Sequence, residues 1–185
     1  MKLLLHICCA PCSVKCIEYF RKEKIDITGF WYNPNIHPLT EYTKRLETLI
    51  EYAKRIELPL EVIDYYGLRT FVKNVADDVG ARCSYCYKSR LNMTAEYARN
   101  NQFDAFSTTL TISPYQKHDL IREHGDEIGE SYEIKFLYKD FRESFRTGQA
   151  LARENNLYMQ KYCGCIFSEE ERYSKSAGGF KKTLK

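Results

Sequence analysis

The sequence predicts a three-layer α/β fold, a mostly parallel sheet covered by helices. Two observations carry that prediction. Short apolar, β-rich runs alternate along the chain with longer segments of helical apolar spacing. Turn-forming clusters fall between them rather than inside them, as strand-helix-strand connections require.

Each element has its own justification. Residues 2–7 read as the first buried strand: the run Leu3-Leu4-Leu5-His6-Ile7 is too short for the apolar region of a signal peptide. A helix with a Pro-Cys-Ser entry is expected over 12–21. The second strand, 27–32, is stopped by Asn33-Pro34-Asn35 and His37-Pro38. The clearest helix covers 39–56, with Tyr42, Leu46, Leu49, Ile50, Ala53 and Ile56 on one face. Leu58-Pro59 ends it before a third strand at 60–64. Helices over 71–78 and 84–99, a fourth strand at 103–109, a helix at 114–127, a fifth strand at 132–138 and a helix at 144–155 complete the order. No repeat, low-complexity stretch or long linker interrupts it. One α/β domain over residues 1–178 is expected, with 179–185 a loose basic tail.

Composition narrows the function. Of 185 residues, 44% are apolar, enough to bury a core, and 29% are charged. The formal net charge of +3 permits a nucleic-acid partner without requiring one. No apolar run approaches the length of a membrane span. Eight cysteines are the outstanding feature, grouped as Cys8, Cys9, Cys12 and Cys16, then Cys83 and Cys86, then Cys163 and Cys165. A secreted disulfide framework is disfavoured by the missing signal peptide and by a chain large enough to need no staples. A metal or redox site in a reducing compartment, the cytoplasm, is the better reading.

Ligands of open α/β sheets lie beyond the carboxyl ends of the strands, so the loops holding Cys8, Asn33 and residues 108–116 should share one rim. Four thiolates would fill one zinc or one [4Fe–4S] site. Cys16, one turn beyond Cys12, reads as a small buried apolar residue, and seven thiols remain. A structural zinc site leaves the surplus unexplained, whereas an iron–sulfur site beside a second metal or redox pair uses it. His6, inside a buried strand, reads as a satisfied core histidine.

Five stretches together carry a resemblance: residues 5–12 (Leu-His-Ile-Cys-Cys-Ala-Pro-Cys), 32–38 with Glu41-Tyr42, 82–87 with Arg90-Leu91, 106–110 with Ser113-Pro114-Tyr115-Gln116, and 162–168 (Tyr-Cys-Gly-Cys-Ile-Phe-Ser). In these the chain resembles the cobalamin-independent epoxyqueuosine reductases of QueH type. The resemblance implies a fold similar to the adenine-nucleotide α-hydrolase (HUP-like) group and reduction of the epoxide of epoxyqueuosine in tRNA to queuosine. It also implies a [4Fe–4S] cluster with a second iron beside it. The implied metal ligands are Cys8, Cys9, Cys12, Cys83, Cys86, Cys163 and Cys165, not partitioned between the two sites, and an aspartate ligand is allowed.

Deoxygenating an epoxide takes two electrons and two protons and releases water. No side chain supplies such electrons, so a cofactor must. A thiolate-bound cluster reaches low potentials, and an adjacent iron would polarise the epoxide oxygen. No flavin or NAD fingerprint is present, so an external donor such as ferredoxin or flavodoxin is expected. Nor does Cys-Cys-Ala-Pro-Cys resemble a phosphate loop, so no ATP is expected, which disfavours a tRNA sulfurtransferase. Asn33, Asn35, His37, Tyr115, Gln116 and Arg142 are the candidate substrate contacts, Asp140 a candidate proton donor or ligand. Tyr85, Tyr87, Tyr158 and Tyr162, interleaved with Arg82, Lys88, Arg90 and Lys161, suit an unstacked anticodon-loop nucleoside. The competing reading is a zinc-stabilised RNA-binding module without catalysis.

Overall fold

In the computed structural model, which describes residues 1–174, five strands form one sheet in the order β3-β2-β1-β4-β5, and every neighbouring pair is parallel. β1 (Lys2–His6) occupies the centre, between β2 (Asp26–Trp31) and β4 (Ala105–Thr108); β3 (Leu60–Val62) and β5 (Lys135–Phe136) are the edges. The expected tail, 179–185, lies outside the described residues.

Burial on both faces explains the unbroken apolar run of β1. Leu3, Leu5 and Ile7 point to one side, where α1 (Ala10–Lys22), α2 (Leu39–Arg55) and α6 (Phe145–Glu154) supply Val14, Ile17, Phe20, Leu46, Leu49 and Ala152. Leu4 points to the other, against Leu91, Ala95 and Ala98 of α4 (Arg82–Asn100) and Ile121 and Ile128 of α5 (His118–Ser131). Each fully buried leucine contributes roughly 1.5–3 kcal/mol of transfer free energy. α3 (Leu68–Val75) packs Phe71 and Val75 beside α4, and α7 (Ile166–Ser174) follows the last cysteines.

The architecture is thus the expected three-layer α/β one with a parallel sheet, with differences at element ends. The fifth strand is two residues long because α5 runs to Ser131 and Tyr132 caps it. Gly125 lets α5 lie against the strand: a Cβ there would come 2.1 Å from the Phe136 ring. The helix expected from residue 114 starts at His118. Before it, Ser113–Gln116 form a turn closed by the Gln116 N–H on the Ser113 carbonyl (3.2 Å). The helix expected at 71–78 starts three residues earlier, and α7 is an element that apolar spacing did not reveal.

The strand order reverses between β1 and β4: the chain leaves β1 toward β2 and β3, then crosses back. Such a reversal opens a crevice at the strands' carboxyl ends. Here His6 ties three strands at that crevice, its ring bonding Thr108 Oγ1 (2.9 Å) and Asn33 Oδ1 (3.2 Å), while Asn33 Nδ2 donates to the Ile7 carbonyl (2.9 Å). His6 is the satisfied core histidine its position implied.

Candidate metal centre

Three helices begin at cysteines. Cys9 is the N-cap of α1 and Cys12 lies in its first turn; Cys83 and Cys86 are in the first turn of α4; α7 starts one residue after Cys165. Helix N-termini present free N–H groups and a positive dipole end, so each favours thiolate.

All eight cysteines are free. The sulfurs of Cys8, Cys9 and Cys12 lie within 4.8 Å of one another, Cys8 and Cys9 3.9 Å apart. Three thiolates on one ion at about 2.3 Å would stand about 3.8 Å apart, so this spacing suits a single ion. Among the described residues no other three His, Cys, Asp or Glu side chains come this close. Cys86 and Cys165 pack together with Phe71 and Val75, and charge on Cys163, Cys165 or Cys83 opposes ionisation of Cys86. These four form a second, looser group. Arg90 joins the groups: its guanidinium interacts with Cys86, Cys8 and Cys163.

The sulfurs sort by hydrogen-bond direction. Cys8 accepts from Thr109 Oγ1 (3.5 Å), Cys9 and Cys12 from Gln160 Nε2 (3.0 and 3.5 Å). Cys86 accepts from Arg90 Nη2 (2.8 Å), Cys163 from Gln116 Nε2 (3.3 Å) and Cys165 from the Ser168 N–H (3.4 Å). Cys16 does the reverse and donates to the Cys12 carbonyl (3.5 Å), as a neutral thiol does in a helix. Sulfurs that accept are ready to be thiolates.

Ionisation is uneven. Hydrogen bonds from Cys12 and Cys9 hold the Cys8 thiol well below its ordinary value. Burial pushes Cys9 up, and the bond to Cys8 pushes Cys12 up. Burial raises Cys16 and Cys163 and takes Cys86 to about 12. Loading a metal must therefore expel protons from most of these groups.

Arg90 provides the test of fit. It is 2% exposed, its hydrogen bonds reach only Cys86 (carbonyl and sulfur), and no carboxylate pairs with it among the described residues. A buried cation without a counter-charge costs several kcal/mol. Thiolates holding a net-negative metal group would supply that charge, so the donor set fits a thiolate-ligated iron or iron–sulfur group.

The last cysteines are held by α2 and the turn before it. Buried Arg45 donates from Nε to Glu41 Oε1 (2.7 Å) and from its two Nη atoms to the carbonyls of Cys163 (2.9 Å) and Tyr162 (3.0 Å). Tyr158 donates to Glu41 Oε2 (2.5 Å). His37 adds three contacts: its N–H on the Gly164 carbonyl (2.8 Å), its carbonyl accepting from Tyr162 (2.6 Å), and Nδ1 accepting from Ile166 N–H (3.3 Å). Between the two sulfurs Gly164 adopts φ +145°, a conformation side chains disfavour, with Arg45 packed where a Cβ would point.

A cleft of about 1120 Å³ opens onto this centre. Cys8, Cys12 and Cys163 line it beside Arg90, Thr109 and Gln160, and of the expected substrate contacts Tyr115 and Gln116 are on its wall. Tyr115 is 84% exposed, edge-on to Phe145. The remaining expected contacts are elsewhere. Asn33 and His37 are fully buried and occupied with the protein itself. Asn35 is buried on a separate space of about 30 Å³ behind Cys86, its Oδ1 without a partner. Arg142 grips Asp140 through Nε and Nη2 (2.9 and 2.5 Å) away from the cleft wall, which holds the carboxyl down at about 2. Asp140, paired with Arg142, is not among the residues that line the cleft. The basic-aromatic interleaving is likewise divided: Lys161, Tyr162 and the largely buried Arg90 line the cleft, while Tyr87 is buried away from it. Gln160, Thr109 and Arg45 were not singled out by sequence; Gln160's place two residues before Tyr162-Cys163-Gly164-Cys165 was the available signal.

The family model described as epoxyqueuosine reductase QueH matches residues 3–171. The chain is 36% identical to the epoxyqueuosine reductase QueH of Dehalococcoides mccartyi over 94% of this chain and 96% of that one. It is 38% identical to that of Thermotoga maritima, over 95% and 94%. In fold it is similar to a predicted subunit of tRNA methyltransferase from Methanocaldococcus jannaschii, at a TM-score of 0.60 and 16% identity over 97% of this chain and 89% of that one.

Proposed function

The chain belongs to the epoxyqueuosine reductase QueH family, oxidoreductases acting on tRNA, and we propose that it reduces the epoxide of epoxyqueuosine to queuosine in a tRNA anticodon loop through two thiolate-held iron groups. Arg90, buried among thiols with no carboxylate to neutralise it, is the observation that carries the reading. The close triad Cys8, Cys9 and Cys12 suits one iron with an open position. The looser group Cys83, Cys86, Cys163 and Cys165 suits a [4Fe–4S] cluster, a larger body with four thiolate ligands.

When bound, these groups supply electrons at low potential and a Lewis-acidic position for the epoxide oxygen. The chain's own residues bind and orient. The cleft volume accommodates a nucleoside with flanking phosphates, Tyr115 against Phe145 offers a ring for an unstacked base, and Lys161 and Arg172 at its rim suit phosphate. Thr109 and Gln116 hold Cys8 and Cys163 at the cleft wall. Two electrons from an external donor of ferredoxin or flavodoxin type and two protons convert the epoxide to an alkene and water. Such a donor, like the tRNA, belongs to the cytoplasm. No described helix is long and apolar enough to cross a membrane.

The test is anaerobic incubation of iron- and sulfide-reconstituted protein with epoxyqueuosine-bearing tRNA and a chemical reductant, followed by nucleoside mass analysis. The expected product has lost one oxygen, and bound iron exceeds four per chain. A colourless protein that takes up zinc alone and leaves the nucleoside intact would overturn the proposal.

A further inference from the structure

Among the groups that donate to the sulfurs, Gln160 is the one that touches two of the three triad thiols, and its other end is unexplained. Nε2 lies 3.0 Å from Cys9 Sγ and 3.5 Å from Cys12 Sγ, while Oε1 is buried with no hydrogen-bond partner. An orphaned buried acceptor is costly, so something must favour this orientation of the amide. A thiol could donate to Oε1 if the amide were turned round; a thiolate can only accept, and only from Nε2. The orientation present therefore aims donors at the two sulfurs, the arrangement they need once a bound ion displaces their protons.

We propose that Gln160 is the positioning residue of the Cys8–Cys9–Cys12 site, its amide N–H groups holding Cys9 and Cys12 as thiolates toward a bound ion, an inference that rests on the triad being a metal site. Gln160 lines the cleft beside Cys8 and Cys12, so it shares the cleft wall with two of the triad's residues. Its neutral donors stabilise sulfur charge without adding a positive charge, as Arg90 does for Cys86. Hydrogen bonds to metal-bound sulfur lower the energy of its lone pairs, so they affect both how tightly an ion is held and the colour of the complex.

The experiment titrates reduced, metal-free protein with Co²⁺ under anaerobic conditions and follows the thiolate-to-cobalt charge-transfer absorption. Cys9→Ser identifies the triad's contribution; if it leaves the absorption unchanged, the triad is no metal site and both readings fall together. Where Cys9→Ser removes it, Gln160→Glu decides. The carboxylate is isosteric but only accepts and repels thiolates, so Co²⁺ affinity should fall about 10- to 100-fold. Gln160→Leu should weaken binding in the same direction and shift the band to longer wavelength. Circular dichroism of the metal-free variants should match wild type; should the Glu variant fold poorly, Gln160→Leu carries the decision alone. Unchanged affinity in Gln160→Leu, or equal or tighter binding in a folded Gln160→Glu, which marks oxygen ligation, would overturn the proposal.

Discussion

The two groups of thiols are built by opposite routes. Cys8, Cys9 and Cys12 come from five consecutive residues at one helix start, and local geometry alone brings their sulfurs within 4.8 Å. Cys83, Cys86, Cys163 and Cys165 come from two distant segments, joined only because Arg45 and His37 pin the 162–166 loop. The triad is served by neutral donors, Thr109 and Gln160; the distant group is served by a buried guanidinium as well. A short local motif gathers its sulfurs unaided and needs only neutral donors around them, whereas a set assembled across the fold needs dedicated clamps and a resident charge.

Substituting one sulfur in each group tests that contrast most severely. Cys86→Ala should cost the protein about four irons per chain and Cys9→Ala about one, read as iron content after reconstitution. Equal losses would mean that the two groups hold a single shared body.

Arg90 separates the groups next. In metal-free protein no carboxylate pairs with it, so Arg90→Met should stabilise the fold by about 1–4 kcal/mol. Reconstituted protein should behave in the opposite sense, losing its iron–sulfur absorption faster than wild type. Thermal unfolding of both forms measures this inversion, and a variant less stable in both would show that Arg90 serves packing alone.

The clamp on the distant group should be acid-labile. Burial takes His37 down to about 4, so the folded chain keeps this ring neutral while the unfolded chain protonates it near pH 6.5. Below pH 6.5 the unfolded state binds the extra proton, and stability falls as pH drops toward 4. From pH 7 to pH 5 the expected loss from this residue is about 2 kcal/mol. Denaturant unfolding of metal-free wild type and His37→Gln at both pH values isolates it, the variant showing the smaller decline.

The smallest effect belongs to the thiol outside both groups. Cys16→Ala removes a buried sulfur that donates only to its own helix and should cost about 1 kcal/mol with iron content unchanged. Loss of iron would enrol Cys16 as a ligand.

What was legible in the sequence follows the same division between local and distant. Leu3 to Ile7 announced the central strand because a strand buried on both faces must be continuously apolar, and the 39–56 helix announced itself by its apolar face. Strand five was overextended since Tyr132, Ile134 and Phe136 have β-forming side chains, yet the C-cap of α5 at Tyr132 and the turn at Glu133, φ +51°, take up the first part of the segment. The seven cysteines could be named, but not their partition, which depends on where residues 83 and 163 meet. Asn33 and His37 were read as facing a ligand because they end a strand at the functional rim. They sit at that rim, but their polar atoms bind the backbone that shapes it. Arg45 and Gln160 were silent because an arginine on an amphipathic helix and a glutamine in a loop look alike whether they meet water or sulfur.

The tie between Cys8 and Thr109, in which the backbone N–H of one donates to the hydroxyl of the other at 3.2 Å, orders events during biosynthesis. The triad's cysteines leave the ribosome first, but the wall that supports them is not made until residue 109 follows, and Gln160 arrives later still. A chain ending before residue 109 would carry the triad without this wall, and one ending before residue 163 would lack half of the four-thiol group.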